Sequence, residues 1–452
     1  MIRLTRDRSF YRTMFLVALP SAFQSLITQL VHLADTKMVS HLPGFAMAGV
    51  GQTNEIANVF VMTVIGLVSG ATVLVSQYWG KRDLDRIKQV FSIVLKLVLA
   101  LAVLVAVLVS IFPEQVLSAF NSDQAVVAAA MPYITVFCLS FIPYALTQAL
   151  IGVLRAVEVV NVSLIVSSIS LVVNISLNYV LIFGKLGLPA MGVRGAAIAT
   201  LITRVVELTI VAIYAFKVQK ALPLKPKDLL KSEGWLWRDY AKYGLPVGLA
   251  DAQWAIVGLV KTWIIGHLGG VMISANIVAS QMMTLGTLFC FALANGAAVV
   301  IGKTVGAGNY EKTREYSVSI QWMFLGFGII FAALVFVLRG PFVGLFPQEN
   351  PEVASLAIAM IALGAPTMIG TCYHASCFVG INRGAGDSRF VMIVDMICGW
   401  LVVLPLSLLA AFVWKVPHAW MFLFLRIDQC FKWIIAFIRL RGNKWIKNVT
   451  RD

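Results

Sequence analysis

The sequence predicts an all-α integral membrane protein: twelve transmembrane helices in two six-helix lobes related by a pseudo-two-fold along the membrane normal. Three observations carry that prediction. Hydrophobic residues make up 60% of the 452-residue chain and charged residues 13%, against about 45–50% and about 25% in soluble domains. Apolar runs of about 20 residues, each able to cross a hydrocarbon core of about 30 Å as a helix, recur along the whole chain. The third is an echo: Ser40-His-Leu-Pro-Gly44 returns as Gly266-His-Leu-Gly-Gly270, 226 residues later and so at half the chain length.

The apolar runs fall near 13–39, 46–76, 89–112, 128–154, 161–184, 192–216, 244–266, 272–302, 315–338, 353–380, 390–414 and 417–438. The second and eighth are long enough to tilt. Six precede the basic stretch 217–243 and six follow it, which divides the chain into an N-lobe (1–216), a cytoplasmic linker (217–243) and a C-lobe with a basic tail (244–452). An even number of spans per half makes both halves enter from the same side, so the repeat is parallel. The same offset of 226 pairs Pro20 with Pro246, Val31 with Val257, Leu33 with Leu259, Thr36 with Thr262, Gly70-Ala71 with Gly296-Ala297 and Gly80 with Gly306. Spacing held over so many residues indicates a duplication, and transporters built this way place the substrate between their halves and rock them.

A net charge of +15 would indicate nucleic acid in a soluble protein; here topology accounts for it. With the N-terminus inside, twenty-six Lys and Arg residues fall in inner segments, among them Arg3, Arg6, Arg8 and Arg12, the seven from Lys217 to Lys242, Arg383 and Arg389. Four fall in outer loops: Lys185, Arg194, Arg339 and Lys415. This positive-inside bias predicts cytoplasmic termini in a plasma membrane and no nucleic-acid partner. The six cysteines lie inside predicted spans, where they behave as small apolar residues and not as a disulfide framework. The arginines after Met1 lead into a full-length span, which reads as a retained first helix and not a signal peptide.

The chain resembles the multidrug and toxic compound extrusion (MATE) transporters, of the multidrug/oligosaccharidyl-lipid/polysaccharide flippase superfamily, over nearly its whole length. Four stretches carry the resemblance: Gly70-Ala-Thr-Val-Leu-Val-Ser-Gln-Tyr-Trp-Gly80, Asn174-Ile-Ser-Leu-Asn178, Gly195-Ala-Ala-Ile-Ala-Thr200 and Arg383-Gly-Ala-Gly-Asp387. It implies a drug/cation antiporter with two six-helix lobes, driven by protons or sodium.

Among intramembrane polar residues Asp35 stands out, because a carboxylate inside a membrane helix costs at least about 2.5 kcal/mol and demands water or partners. Ser21, Gln24, Thr28 and His32 lead to it at helical spacings of three and four, forming one polar stripe. At about 1.5 Å per residue, Asp35, Asn178 and Thr200 all lie about 9–12 Å inside the outer ends of their helices, with Asn174 one turn deeper on the face of Asn178. Such an oxygen set suits a sodium ion or a hydrogen-bonded, protonatable carboxylate. In the family resembled, the positions matching Asp35, Asn174, Asn178 and Thr200 form the N-lobe cation site. Some members carry a second aspartate where this chain has Asn178, so only one carboxylate is expected here.

The second lobe departs further. Lys261 occupies the position symmetric with Asp35, and Trp254 stands where one branch of the family carries a glutamate, with Asp251 about one turn earlier. Gln24, Thr28, His32, Asp251, Trp254 and Lys261 are the expected cavity residues. Arg204 and Glu207 are i,i+3 neighbours and should pair on their own helix. Asp395 and Lys432 both lie about seven residues from the inner face and can meet, with Arg426 and Asp428 slightly deeper. Lys37 and Lys96 lie near enough to helix ends to snorkel.

Cys372-Tyr-His374-Ala-Ser-Cys377 contains metal-ligating residue types, but one helix spreads them around its turn. Gly306-Ala-Gly308 and Arg383-Gly-Ala-Gly386 lie in inner loops between membrane helices and not after strands, which removes a nucleotide-binding reading. The expectation is therefore a secondary active exporter and not an enzyme. It would act as a monomer in membrane lipid, without cofactor and with no metal beyond a Na+ at Asp35, and would exchange small, cationic, amphipathic drugs for protons or sodium. Rival readings are a flippase for lipid-linked saccharides, for which Lys261 is the one clear basic candidate, an intramembrane enzyme, for which no reactive set assembles, and a simple channel.

Overall fold

The computed structural model describes residues 4–39, 41–42, 46–119, 123–229, 231–346, 350–442 and 444–450, with backbone alone at His32, Leu33, Thr36, Lys37 and Ala46. Its helical rungs, in chain order, are α1 (Arg8–Val39), α2 (Ala46–Lys81), α3 (Leu84–Ile111), α4 (Gln124–Ala156), α5 (Asn161–Phe183) and α6 (Gly192–Val218). Then follow α7 (Gly234–Gly266), α8 (Gly270–Gly306), α9 (Tyr310–Gly344), α10 (Pro351–Gly364 and Thr367–Arg383, bent by 50°) and α11 (Ser388–Val413). The last rung, α12, is two short helices, His418–Phe424 and Asp428–Arg441. Among the described residues ten helices are long and apolar enough to cross a membrane, and the bent α10 makes an eleventh. The predicted twelfth span, 417–438, is thus a broken rung. Its sequence explains the break, because Arg426, Asp428 and Lys432 interrupt the apolar run.

Two further boundaries differ from expectation. The seventh helix starts at Gly234, ten residues before the predicted 244, because Leu236 and Tyr240 are buried there and the Tyr240 hydroxyl donates to the Leu67 carbonyl at 2.7 Å. Arg383 lies on no inner loop: α10 runs through it as a wide-turn (π-type) helix, and the residue is 8% exposed. Gly384 to Asp387 alone form the turn.

The chain divides into two compact units. One comprises residues 23–75 and 83–240; the other comprises residues 1–22, 76–82 and 241–452. Within the first, Val39, Val50, Tyr133, Ile182, Ala196 and Ala197 form a buried cluster. Within the second, Phe10, Met14 and Ala18 of α1 bury against Cys290, Ala294 and Ala297 of α8, which explains why the start of α1 belongs there. The division of α1 falls two residues after Pro20, an interior proline that removes one rung of the hydrogen-bond ladder.

The end of α2 meets the end of α8 in a contact that mirrors itself. A Cβ on Gly80 would lie 2.0 Å from the Lys303 carbonyl oxygen, and a Cβ on Gly306 would lie 1.9 Å from the Gln77 carbonyl oxygen. Both Gln77/Lys303 and Gly80/Gly306 are pairs at the offset of 226. Each half therefore offers the other the same glycine against the same backbone oxygen, as an isologous interface requires.

The C-terminal residues are strapped over this crossing. The amide of Lys447 donates to the Ala385 carbonyl at 2.8 Å, the amide of Val449 donates to the Gln77 side-chain oxygen at 2.8 Å, and the Gln77 amide donates to Lys447 and Gly384 carbonyls at 3.2 Å. Trp445 is buried in the same cluster as Phe10. Asp387, fully buried, binds Arg439 at 2.7 Å and Lys447 at 2.5 Å. Asp387→Ala removes the anion that two cations share and should cost about 2–3 kcal/mol. The expected consequence is trypsin cleavage at Lys444 or Lys447 in mutant protein under conditions where the wild-type tail survives.

Candidate functional site

Asp35 sits one turn before the end of α1, partly buried. Asn178 of α5 donates its side-chain amide to one Asp35 carboxylate oxygen, and the same amide also donates to the Asn174 side-chain oxygen at 3.1 Å. Asn174 and Asn178 are buried, and they face α1 together because a spacing of four returns the α5 helix to one side. Three of the four expected cation-site residues are thus brought together. Thr200 of α6 is also buried, but among the described residues no hydrogen bond joins it to Asp35 or to the asparagines.

The side-chain oxygen of Asn178 is buried and has no hydrogen-bond partner among the described residues. A buried amide oxygen left unpaired costs about 1–3 kcal/mol. It is the amide nitrogen of Asn178, not this oxygen, that meets the Asp35 carboxylate and the Asn174 oxygen. Two neighbours were not anticipated. Arg204 and Tyr133 both lie within electrostatic range of Asp35; Arg204 follows Thr200 by four residues and so shares its face of α6, a signal present in the sequence. Arg204 also makes the expected pair with Glu207 at 2.8 Å, and Ser170 donates to the same carboxylate.

The rest of the polar stripe does other work. Ser21 and Thr28 direct their hydroxyls to the carbonyls of Val17 at 2.9 Å and Gln24 at 3.0 Å, one turn back on their own helix. The Gln24 side-chain oxygen accepts from Arg155 at 3.1 Å, and Arg155 belongs to the end of α4. The side chain of His32 lies outside the described residues, as does that of Lys37. Lys96 donates to Ser232 at 3.0 Å. Glu55 was missed by sequence reasoning although it is an acid within α2, where it is exposed.

In the other unit Asp251 pairs with Arg383 at 2.7 Å, and Asp395 lies 3.9 Å from the same guanidinium. Asp395 and Lys432 meet as expected, at 2.5 Å, and Asp428 lies 3.7 Å from Lys432. Asp251 is therefore the counter-ion of a residue that had been placed in a loop. Trp254 is a cation platform: the Lys432 ammonium is 4.7 Å and the Lys261 ammonium 5.3 Å from its ring centroid. Arg426 lies in the break of α12 with its guanidinium 5.7 Å from the Phe422 ring. Gln253 is buried, and neither polar atom of its side-chain amide has a partner among the described residues. His374 is buried with Nδ1 3.0 Å from the Gly370 carbonyl, a structural contact, and Cys372 and Cys377 are free thiols.

The MatE family model matches this chain twice, over residues 20–180 and 246–439. The chain belongs to the MatE family. The two matches begin at Pro20 and Pro246, a pair at the offset of 226. Among curated relatives, the chain is 25% identical over 443 residues to the uncharacterized transporter YisQ of Bacillus subtilis, covering 98% of this chain and 96% of that one. It is 23% identical over 447 residues to a probable multidrug resistance protein NorM of Thermotoga maritima, covering 96% and 94%. A solved outward-facing multidrug resistance MATE family transporter of the MOP superfamily superposes with a TM-score of 0.87 at 18% identity, over 100% of both chains. The protein is a multi-pass membrane transporter of this family.

Proposed function

We propose that this transporter is an ion-coupled exporter of amphipathic organic compounds, and that Asp35 is the carboxylate that takes up and releases the coupling proton or sodium ion. The observation that carries this is the Asp35–Asn178–Asn174 cluster. It holds one carboxylate and two side-chain amides within one unit, the Asn178 oxygen being buried without a partner among the described residues. One acid with neutral oxygen donors gains a favourable charge from a single monovalent cation or proton and from nothing larger. Bound in one state of the transporter more tightly than in the other, that ion biases the cycle. The multidrug resistance names of the NorM relatives support export of drugs. The cationic substrate expected in the sequence analysis rests on the family resemblance alone.

The same reading places both termini and the 217–233 stretch in the cytoplasm of a cell with the transporter in its plasma membrane, because that orientation gives the basic segments the inner face. Labelling with an impermeant maleimide in sealed cells tests it, with the exposed Cys430 replaced by Ser to lower background. Leu186→Cys, at a residue 88% exposed in the α5–α6 loop, should react; Lys227→Cys should not. Function is tested in liposomes loaded with drug and given a proton gradient or a sodium gradient separately. One of the two should drive uphill export that an ionophore collapses, an outcome that neither a channel nor an enzyme produces.

A further inference from the structure

We propose that the second unit holds a binding site for the single negative head group of an amphipathic organic anion, formed by Lys261 of α7 and Arg426 in the break of α12 and walled by Trp254 and Phe422. The inference deepens the export reading by naming a substrate class. It stands on local charge and packing and needs no coupling ion.

Seven charged side chains come together in α7 and α10 to α12. Two of the acids are committed: Asp251 to Arg383 at 2.7 Å and Asp395 to Lys432 at 2.5 Å. Lys261 and Arg426 form no ion pair among the described residues. The one acid within electrostatic range of both is Asp428, which also lies 3.7 Å from Lys432. Four cations thus face three anions, and an uncompensated charge within the membrane is costly unless something neutralises it.

Lys261 cannot be dismissed as a residue reaching for the surface. It follows Trp254 by seven residues, about 10 Å along α7, so a 5.3 Å contact with that ring requires its side chain to run back toward Trp254, away from the helix end. Arg426 is likewise turned onto Phe422, and its Nε is buried with no partner among the described residues. Its place in the chain matters as well. Arg426 stands in the break, two residues before the 14-residue half-helix Asp428–Arg441, whose first amides, at Gln429 and Cys430, already donate to the Arg426 and Ile427 carbonyls, so the charge at this point is the guanidinium's and not a free helix end's. A single unmatched positive charge fits a carboxylate, sulfonate or phosphodiester better than a pyrophosphate, which would bring two or three negative charges to a site already holding Asp428. The aromatic rings suit an aryl or alkyl body next to that head.

The same chemistry is offered by a free organic acid and by an anionic lipid, so the test has two arms. The full chain is purified and reconstituted in phosphatidylcholine vesicles with no ion gradient, and binding of tritiated 2-naphthoate is measured at equilibrium with and without phosphatidylglycerol in the bilayer. Wild-type protein should bind naphthoate, or show saturable phosphatidylglycerol contact by native mass spectrometry. Displacement of one by the other identifies the source. Lys261→Gln and Arg426→Gln should each weaken binding about tenfold, the double variant should lose it, and Lys261→Arg should retain it. Should the double variant fail to fold, the comparison of K261R with K261Q decides. Wild-type protein that binds neither probe, or a folded K261Q that binds as tightly as wild type, overturns the proposal. Because no gradient is applied, that failure would leave the coupling role of Asp35 untouched.

Discussion

Asp35→Asn protein is expected to fold and to bind drug measurably, yet to export none against a proton or sodium gradient. The substitution preserves shape and leaves an oxygen able to accept the Asn178 amide, so the contact between α1 and α5 survives. What disappears is the charge. An amide neither gains a proton nor gives a sodium ion a counter-charge in this setting, so occupancy of the site no longer differs between the two faces of the membrane, and without differential affinity the gradient has no hold on the cycle. Uphill export should fall by at least about a hundredfold, to the background of empty liposomes, which corresponds to losing about 3 kcal/mol of drive. The measurement is drug accumulation under an imposed gradient, alongside equilibrium binding on the same preparation. Uphill export at the wild-type rate would make Asp35 a packing residue and end the coupling proposal.

How much of this arrangement could be read from the sequence depends on which coordinate the sequence encodes. Position along a membrane helix converts directly to depth, and depth alone brought Asp35 to Asn178 and Asp395 to Lys432. It does not encode the direction in which a neighbouring helix turns its faces. Thr200 was placed at the right depth and makes no hydrogen bond to the cluster, while Arg204, one turn further on the same helix, lies within range of Asp35. Arg383 was misplaced for a different reason. Arg-Gly-Ala-Gly-Asp carries turn residues at Gly384, Gly386 and Asp387, and the pairing of Arg383 with Asp251, 132 residues away, is not written in that local pattern. The break in α12 was hidden because hydropathy averages over Arg426, Asp428 and Lys432. The Gly80/Gly306 echo was legible as a repeat but not as a contact, since a matched glycine says nothing about what lies against it.

That contact gives the largest stability effect expected outside the charge networks. A methyl group on Gly306 would stand 1.9 Å from the carbonyl oxygen of Gln77 and 2.6 Å from its carbon; on Gly80 it would stand 2.0 Å from the Lys303 oxygen. Both obstacles are backbone, so no rotamer change relieves them and α2 must move away from α8 by more than about 1 Å, with a cost of about 3 kcal/mol or more. Gly306→Ala and Gly80→Ala should therefore each lower the yield of folded protein and its thermal midpoint in detergent. Gly258→Ala serves as the control, since nothing lies within 4 Å of a Cβ there and alanine is the better helix former by about 1 kcal/mol. The symmetry of the contact sharpens the expectation. Opening the crossing once makes room for both methyl groups, so the double variant should cost clearly less than the two single variants together, the signature of coupled neighbours. A Gly306→Ala protein as stable as wild type would show that the ends of α2 and α8 do not approach so closely in the membrane. Strictly additive costs would mean that the two glycines report on separate clashes and not on one crossing shared by the repeated halves.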